Sequence, residues 1–269
     1  MTTIHMNRDA PQAHTGRGQR GGEWRFWLLP VSGLAALLVW QGAILLADYP
    51  AFILPPPGRV WQRALLAMSD GTLWRHTGVT LSEVLAGLAL GLVVAWSLGY
   101  LLAKSHTLER VLAPYIVASQ AVPIVAVAPL LVIWFGAEIL SKVLICALIV
   151  FFPVLINTIV GIRSVEPDLR DLMRSLRATR WQTFVKLEVP AGLPVLLGGL
   201  KIGATLSVIG AVVGEFVGAD AGLGFLIHAG RGLYDTALMF VAIFALVVIA
   251  LALYGLVALL ERWLLAWKN

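Results

Sequence analysis

Largely uninterrupted apolar runs, each on the order of 20 residues, recur along most of this chain, and they constrain its fold more than any other feature. A run of that length crosses the hydrocarbon of a bilayer as one helix. In lipid every backbone N–H and C=O must be satisfied within the protein, which leaves helices or a closed barrel. Barrel strands would alternate in polarity over about ten residues. These runs do not alternate, so an all-α, polytopic membrane protein is predicted. Composition agrees: 59% of the residues are hydrophobic and 13% charged, where a soluble domain carries about 25% charged residues. The single cysteine, Cys146, excludes an intrachain disulfide and reads as a small packing residue.

The runs place spans at 26–47, 77–103, 111–135, 143–162, 193–217 and 237–260, six in all, behind a polar tail at 1–25 that reads as disordered. Pro55-Pro56-Pro57-Gly58 breaks any helix, a short amphipathic helix over 60–68 follows, and Asp70-Gly71 signals a turn. Gly87 and Gly91 form a small-xxx-small pair that permits close helix approach. The third span holds Pro114, Pro123 and Pro129, which predict a bent or broken helix that either lines a pathway or only packs. Asn157 is a candidate for an interhelical hydrogen bond. Lys201 is either a functional intramembrane charge or a lysine reaching back to the interface. Glu215 either lines the pathway or bonds the Gly-rich loop 218–236.

With the N-terminus inside, the inner segments hold fourteen Lys and Arg and the outer segments five. That asymmetry predicts both termini in the cytoplasm. It also explains the formal charge of +5 without nucleic acid, since the basic residues cluster at span ends. The histidines lack metal-ligand spacing, and no nucleophile–base set stands out, so no catalytic and no metal residues are predicted.

One polar stretch interrupts the pattern. Residues 166–190 are densely charged and, by the same count, cytoplasmic. Pro167 suits a first helical turn, and Asp168 and Asp171 precede Arg174, Arg177 and Arg180, as the helix dipole favours. Leu169, Leu172, Met173 and Leu176 make an apolar stripe. Arg170, Arg174 and Arg177 make a basic face. A turn near Ala178–Thr179 leads to a second short helix with Trp181 and Phe184, ending at Pro190 and Pro194. Such a helix suits an anionic lipid surface or a protein socket, the latter because aromatic and Arg anchors are typical of interface centres.

The segment resembles the cytoplasmic loop of permease subunits of type I ABC importers. That loop runs E-A-A, three residues, Gly, nine residues, I-x-L-P. Here Asp171-Leu172-Met173, Arg177 and Leu187-Glu188-Val189-Pro190 stand at the same spacing. The triplet is DLM, and the family glycine is Arg177, a residue that enters positive φ only at a cost. ILPPPGRVWQ, TLSEVLAGLALG and GLKIGATLSVIGAVVGEFVGADAGLGFLI are similar to the nitrate, sulfonate and taurine branch, which also includes riboflavin and thiamine-precursor permeases. The resemblance implies a permease domain over 26–265 in a bacterial inner membrane. Two copies of it would pair, most simply as a homodimer, with two cytoplasmic ATPase subunits and an extracytoplasmic binding protein. It makes 166–190 the ATPase-coupling segment, with Asp171, Arg174, Leu176, Arg177, Ala178, Trp181, Phe184 and Pro190 as contact residues. Pro123, Pro129, Asn157, Lys201 and Glu215 are candidates for the translocation pathway. No Walker A loop is present, so ATP and Mg are expected on the partner ATPase and no cofactor on this chain. The alternative is a secondary transporter or channel without an ATPase, which calls for inverted repeats and midplane charges. The scarcity of positive charge in the spans leans toward a pyrimidine or flavin-type solute.

Overall fold

A computed structural model describes residues 22–47 and 50–266. The tail expected at 1–25 lies, over 1–21, outside the described residues. All regular structure among the described residues is helical. Helix α1 (Gly22–Ala47) is a unit by itself. Its 26 residues reach about 39 Å at 1.5 Å per residue, and Val31–Leu46 within it is a shorter apolar stretch.

The second unit holds α2 (Pro57–Ser69), α3 (Thr72–Lys104), α4 (His106–Gln120), α5 (Ile124–Phe135), α6 (Ile139–Arg163) and α7 (Pro167–Ser175). It continues with α8 (Arg180–Thr183), a π-helical turn (Phe184–Glu188), α9 (Val189–Gly218), α10 (Leu223–Gly232) and α11 (Thr236–Leu264). Among the described residues, four helical stretches are long and apolar enough to cross a membrane: 72–104, 139–163, 180–218 and 236–264. A fifth crossing exists only if α4 and α5, bent by 93°, count as one.

The span expected at 111–135 is therefore two helices. Proline chemistry decides where it breaks. At the end of α4 the Ala121 and Val122 N–H groups turn back to the carbonyls of Ala118 and Ser119 at 3.2 and 3.3 Å. Pro123, with no N–H to continue the ladder, becomes the N-cap of α5. Pro114, Pro129 and Pro153 lie inside helices that continue through them.

Helices α3, α6 and α9 pack as the centre. Leu88, Ala95 and Leu102 of α3 meet Val150, Val154 and Leu155 of α6 and Leu197, Leu200 and Ala204 of α9. Small residues set how closely they approach. A Cβ on Gly91 would lie 2.9 Å from the Ala147 carbonyl oxygen, and one on Gly210 would lie 2.7 Å from the Cys146 Cα. Gly87 also faces Cys146, which is buried between α3 and α9 as a packing residue. Close van der Waals contact is what holds helices together where lipid is as apolar as the side chains.

The connections outside this core carry their own caps. Pro57 opens α2 at its first turn. Gly71 turns the chain with φ 78°. Asp70 accepts the Thr72 N–H at 2.8 Å, which holds its carboxyl below the usual carboxylate range. Asp235 caps α11 by accepting the Leu238 N–H at 3.0 Å and ion-pairs with Arg63 of α2 at 2.8 Å.

Candidate coupling site and translocation residues

Helix α7 is short, starts at Pro167 and ends in a Schellman motif. The Arg177 N–H donates to the Arg174 carbonyl at 2.9 Å, and the Ala178 N–H donates to the Met173 carbonyl at 3.0 Å. This motif needs a left-handed residue, and Arg177 takes it with φ 51°. The turn that glycine would make is thus made by arginine. Thr179 then opens α8 with a reciprocal capping box: its hydroxyl accepts the Gln182 N–H, and the Gln182 side chain accepts the Thr179 N–H at 2.8 Å.

Leu172 and Leu176 of the apolar stripe, and Trp181 of α8, are uncovered in the single chain, at 53%, 68% and 70% exposed. Asp171 and Arg174 pair on this surface at 2.8 Å. Arg177 is exposed, and Ala178 and Pro190 are partly buried. Phe184 faces inward. Its ring lies tilted against Trp181 at 5.6 Å and meets Tyr100 of α3 edge-on at 5.0 Å. Arg170 departs from the expected basic face, because it is half-buried and donates to the Ile162 carbonyl at the end of α6, at 2.7 Å.

Charged residues whose pairing was not legible in the sequence tie this segment to the bundle. Glu188, in the π-helical turn, is buried and ion-pairs with Lys104 at the end of α3. The Tyr100 hydroxyl donates to the same carboxylate at 3.4 Å. Arg163, ending α6, makes a fork to Glu109 of α4 at 2.8 and 2.6 Å and donates to the Leu102 carbonyl of α3 at 3.2 Å. Bidentate arginine–carboxylate pairs are among the stronger polar contacts. A π-helical turn often marks a functional position. Segment 166–190 is joined by side chains to α3 and α6, and α6 in turn through Arg163 to α4.

At the opposite end of the bundle Glu215 is enclosed by protein. Its carboxylate accepts from the Thr80 hydroxyl of α3 at 2.6 Å and from the Gly224 N–H of α10. Glu83 faces it. The Gly222 N–H donates to His76 Nδ1 at 2.9 Å, and the Leu223 N–H donates to the Thr80 hydroxyl at 2.8 Å. This arrangement pins the Gly-rich loop and α10 to α3, and Gly222 (φ 119°) allows the chain to pass directly over the carboxylate.

A cavity of about 770 Å³ opens where α4 gives way to α5, against α6. Pro123 and Asn157 are on its wall, together with Gln120 and Phe152. Pro129, Lys201 and Glu215 are not among its lining residues. Lys201 ion-pairs with Glu261 at the end of α11 and sits 5.6 Å from the Tyr254 ring. No charge in the apolar run of α11 hinted at that pairing.

The family model for the binding-protein-dependent transport system inner membrane component matches residues 87–266. A riboflavin transport system permease protein, RibX, of Chloroflexus aurantiacus is 48% identical over 99% of this chain and 98% of its own length. A formylaminopyrimidine transport permease protein, ThiX, of Halalkalibacterium halodurans is 35% identical over 88% of this chain and 94% of its own. Among solved structures, an inward facing form of the MetNI methionine ABC transporter aligns with a TM-score of 0.62 at 18% identity, covering 73% of this chain and 97% of that one. That likeness speaks to the fold. With the family model spanning well over half the chain, and a 48% identical relative over nearly all of it, the chain belongs to the family of inner membrane components of binding-protein-dependent transport systems.

Proposed function

We propose that this chain is the permease subunit of an ATP-driven importer for a neutral heteroaromatic solute of the flavin or pyrimidine kind. Two identical copies form the membrane pathway, with both termini in the cytoplasm. Each copy carries an ATPase subunit on segment 166–190, and a binding protein delivers solute at the other end. ATP and Mg reside on the ATPase, and this chain contributes no catalytic residue. The relatives named for riboflavin and formylaminopyrimidine transport support the solute class.

The observation that carries the coupling role is the uncovered face of Leu172, Leu176 and Trp181 on a segment otherwise joined to the bundle by buried or half-buried contacts. A face that only lay on lipid would not need Glu188 and Arg170 to relay its position to α3 and α6. When ATP closes the ATPases, the two coupling segments move together. The Lys104–Glu188 pair, the Tyr100–Phe184 contact and the Arg170–Ile162 hydrogen bond carry that movement into the spans. Solute and nucleotide drive the cycle because each binds the outward and inward states unequally.

The test is co-purification of the ATPase with an Arg174→Ala/Trp181→Ala variant. Loss of an aromatic and an arginine anchor is expected to lower recovered ATPase at least about tenfold, with insertion in the membrane unchanged. Wild-type recovery and wild-type transport in that variant would remove the docking role.

A further inference from the structure

We infer that the cavity at the α4–α5 break is the solute's binding site within the bilayer, and that Gln120, Phe152 and Asn157 select a neutral, flat heteroaromatic solute there. This rests on the permease reading and adds to it a site and a selection rule.

Position argues first. Phe152 stands thirteen residues after α6 begins at Ile139 and eleven before it ends at Arg163, so the cavity wall lies at the middle of a spanning helix. The backbone facing it, at 121–123, is not helical. Irregular backbone at membrane depth is tolerated where it is buried in protein or lines a cavity. Discontinuous helices are also where transporters build solute sites. A volume of about 770 Å³ falls within the roughly 300–1,000 Å³ of small-molecule clefts.

The chemistry of the wall argues second. The lining includes no ionisable side chain. The Gln120 side-chain amide is exposed and makes no hydrogen bond among the described residues. Asn157 spends one Nδ2 hydrogen on the Pro153 carbonyl at 2.8 Å and keeps its other N–H and its Oδ1. Pro153 has no N–H, so the Ile149 carbonyl, also on the wall, loses its usual helical donor. The site therefore offers donors and acceptors beside the aromatic face of Phe152. A sulfonate or nitrate entering here would shed its hydration with no cation to receive it. A flat ring with amide or imide edges would stack and exchange hydrogen bonds of both polarities.

The experiment uses the assembled permease–ATPase complex in liposomes with its binding protein, and riboflavin and an alkanesulfonate as probes. Gln120→Ala disturbs no packing or internal bond. It is expected to lower kcat/KM for riboflavin uptake about tenfold while ATPase stimulation by the binding protein stays at the wild-type level. Phe152→Leu keeps the apolar volume and should weaken riboflavin binding by the complex without binding protein about fivefold, the value of an aromatic stacking contact. Wild-type riboflavin kcat/KM in both variants overturns the site. Equal loss of uptake and of ATPase stimulation in Gln120→Ala also overturns it, because that pattern marks a structural residue. Wild-type import of the alkanesulfonate in preference to riboflavin overturns the selection rule. A wild-type complex that imports neither of these probes nor formylaminopyrimidine, with ATP supplied and its binding protein present, overturns the permease reading itself.

Discussion

Both ends of the helical bundle bury glutamate, Glu188 at one and Glu215 facing Glu83 at the other, and they hold it in different ways. At the proposed coupling end Glu188 is 1% exposed and faces Lys104, whose side chain is 43% exposed. At the other end Glu215 is 2% exposed and accepts from a hydroxyl and a backbone N–H, with glycine laid against it. A pair with one partner at the surface can part and let water take up the cation. A carboxylate wrapped in fixed donors has no such route. The proposed coupling end is thus built from contacts that can be remade, and the far end from contacts that hold α3, α9 and α10 as one piece.

That contrast is broken most severely at Glu215. Glu215→Ala removes the acceptor for both the Thr80 hydroxyl and the Gly224 N–H. Each stranded buried donor costs about 1–3 kcal/mol, so the loss is expected at about 3 kcal/mol or more. Glu215→Gln keeps one acceptor oxygen and should cost less than half as much. The thermal midpoint of the purified complex measures both. An Ala variant as stable as the Gln variant would show that the carboxylate is not what holds α10 in place.

The coupling end should answer asymmetrically. Lys104→Met strands Glu188 in a buried position with only the Tyr100 hydroxyl at 3.4 Å, and losing one partner of a buried pair costs about 3 kcal/mol. Glu188→Gln instead leaves Lys104 to water, at about 1 kcal/mol. Both variants should transport less solute per ATP hydrolysed, since both cut the link from the π-helical turn to α3. Equal stability losses in the two would mean that the pair is solvated as a unit, and the contrast between the ends would narrow.

Much of this architecture was legible because its signals are local. The apolar runs, the proline that ends α4 and the periodicity of α7 are each written within a few turns of one helix. The partners were not legible, because they join residues far apart: Lys104 and Glu188 by 84 positions, Arg163 and Glu109 by 54, Thr80 and Glu215 by 135. Charges at span ends report membrane orientation, and that use concealed their pairing. Lone charges inside spans drew attention as pathway residues for the same reason. Lys201 stands alone in its own helix, and only the packing of α9 on α11 brings Glu261 to it. Asn157 and Pro123 do meet at one cavity, since a proline break and a mid-span amide both mark places where the helical backbone is incomplete.

The smallest expected effect compares the ends most closely. Tyr234 closes α10 with φ 55° in the same motif as Arg177: the Tyr234 N–H donates to the Arg231 carbonyl at 3.3 Å, and the Asp235 N–H donates to the Gly230 carbonyl at 2.9 Å. These are the two positive-φ non-glycine residues among those described. A left-handed side chain costs about 1 kcal/mol, partly offset in a glycine variant by the entropy of its unfolded chain. Arg177→Gly and Tyr234→Gly should therefore each raise stability by roughly 0.5 kcal/mol. Their functional outcomes should part. Arg177 is exposed beside Leu176 on the proposed ATPase face, so its glycine variant should yield a firmer turn and a weaker hold on the ATPase, seen as a raised thermal midpoint with lowered co-purification. Tyr234→Gly should raise the midpoint and leave ATPase recovery unchanged. If Arg177→Gly is firmer and binds as well as the wild type, the guanidinium makes no contact there, and the strain at that turn has no return in coupling.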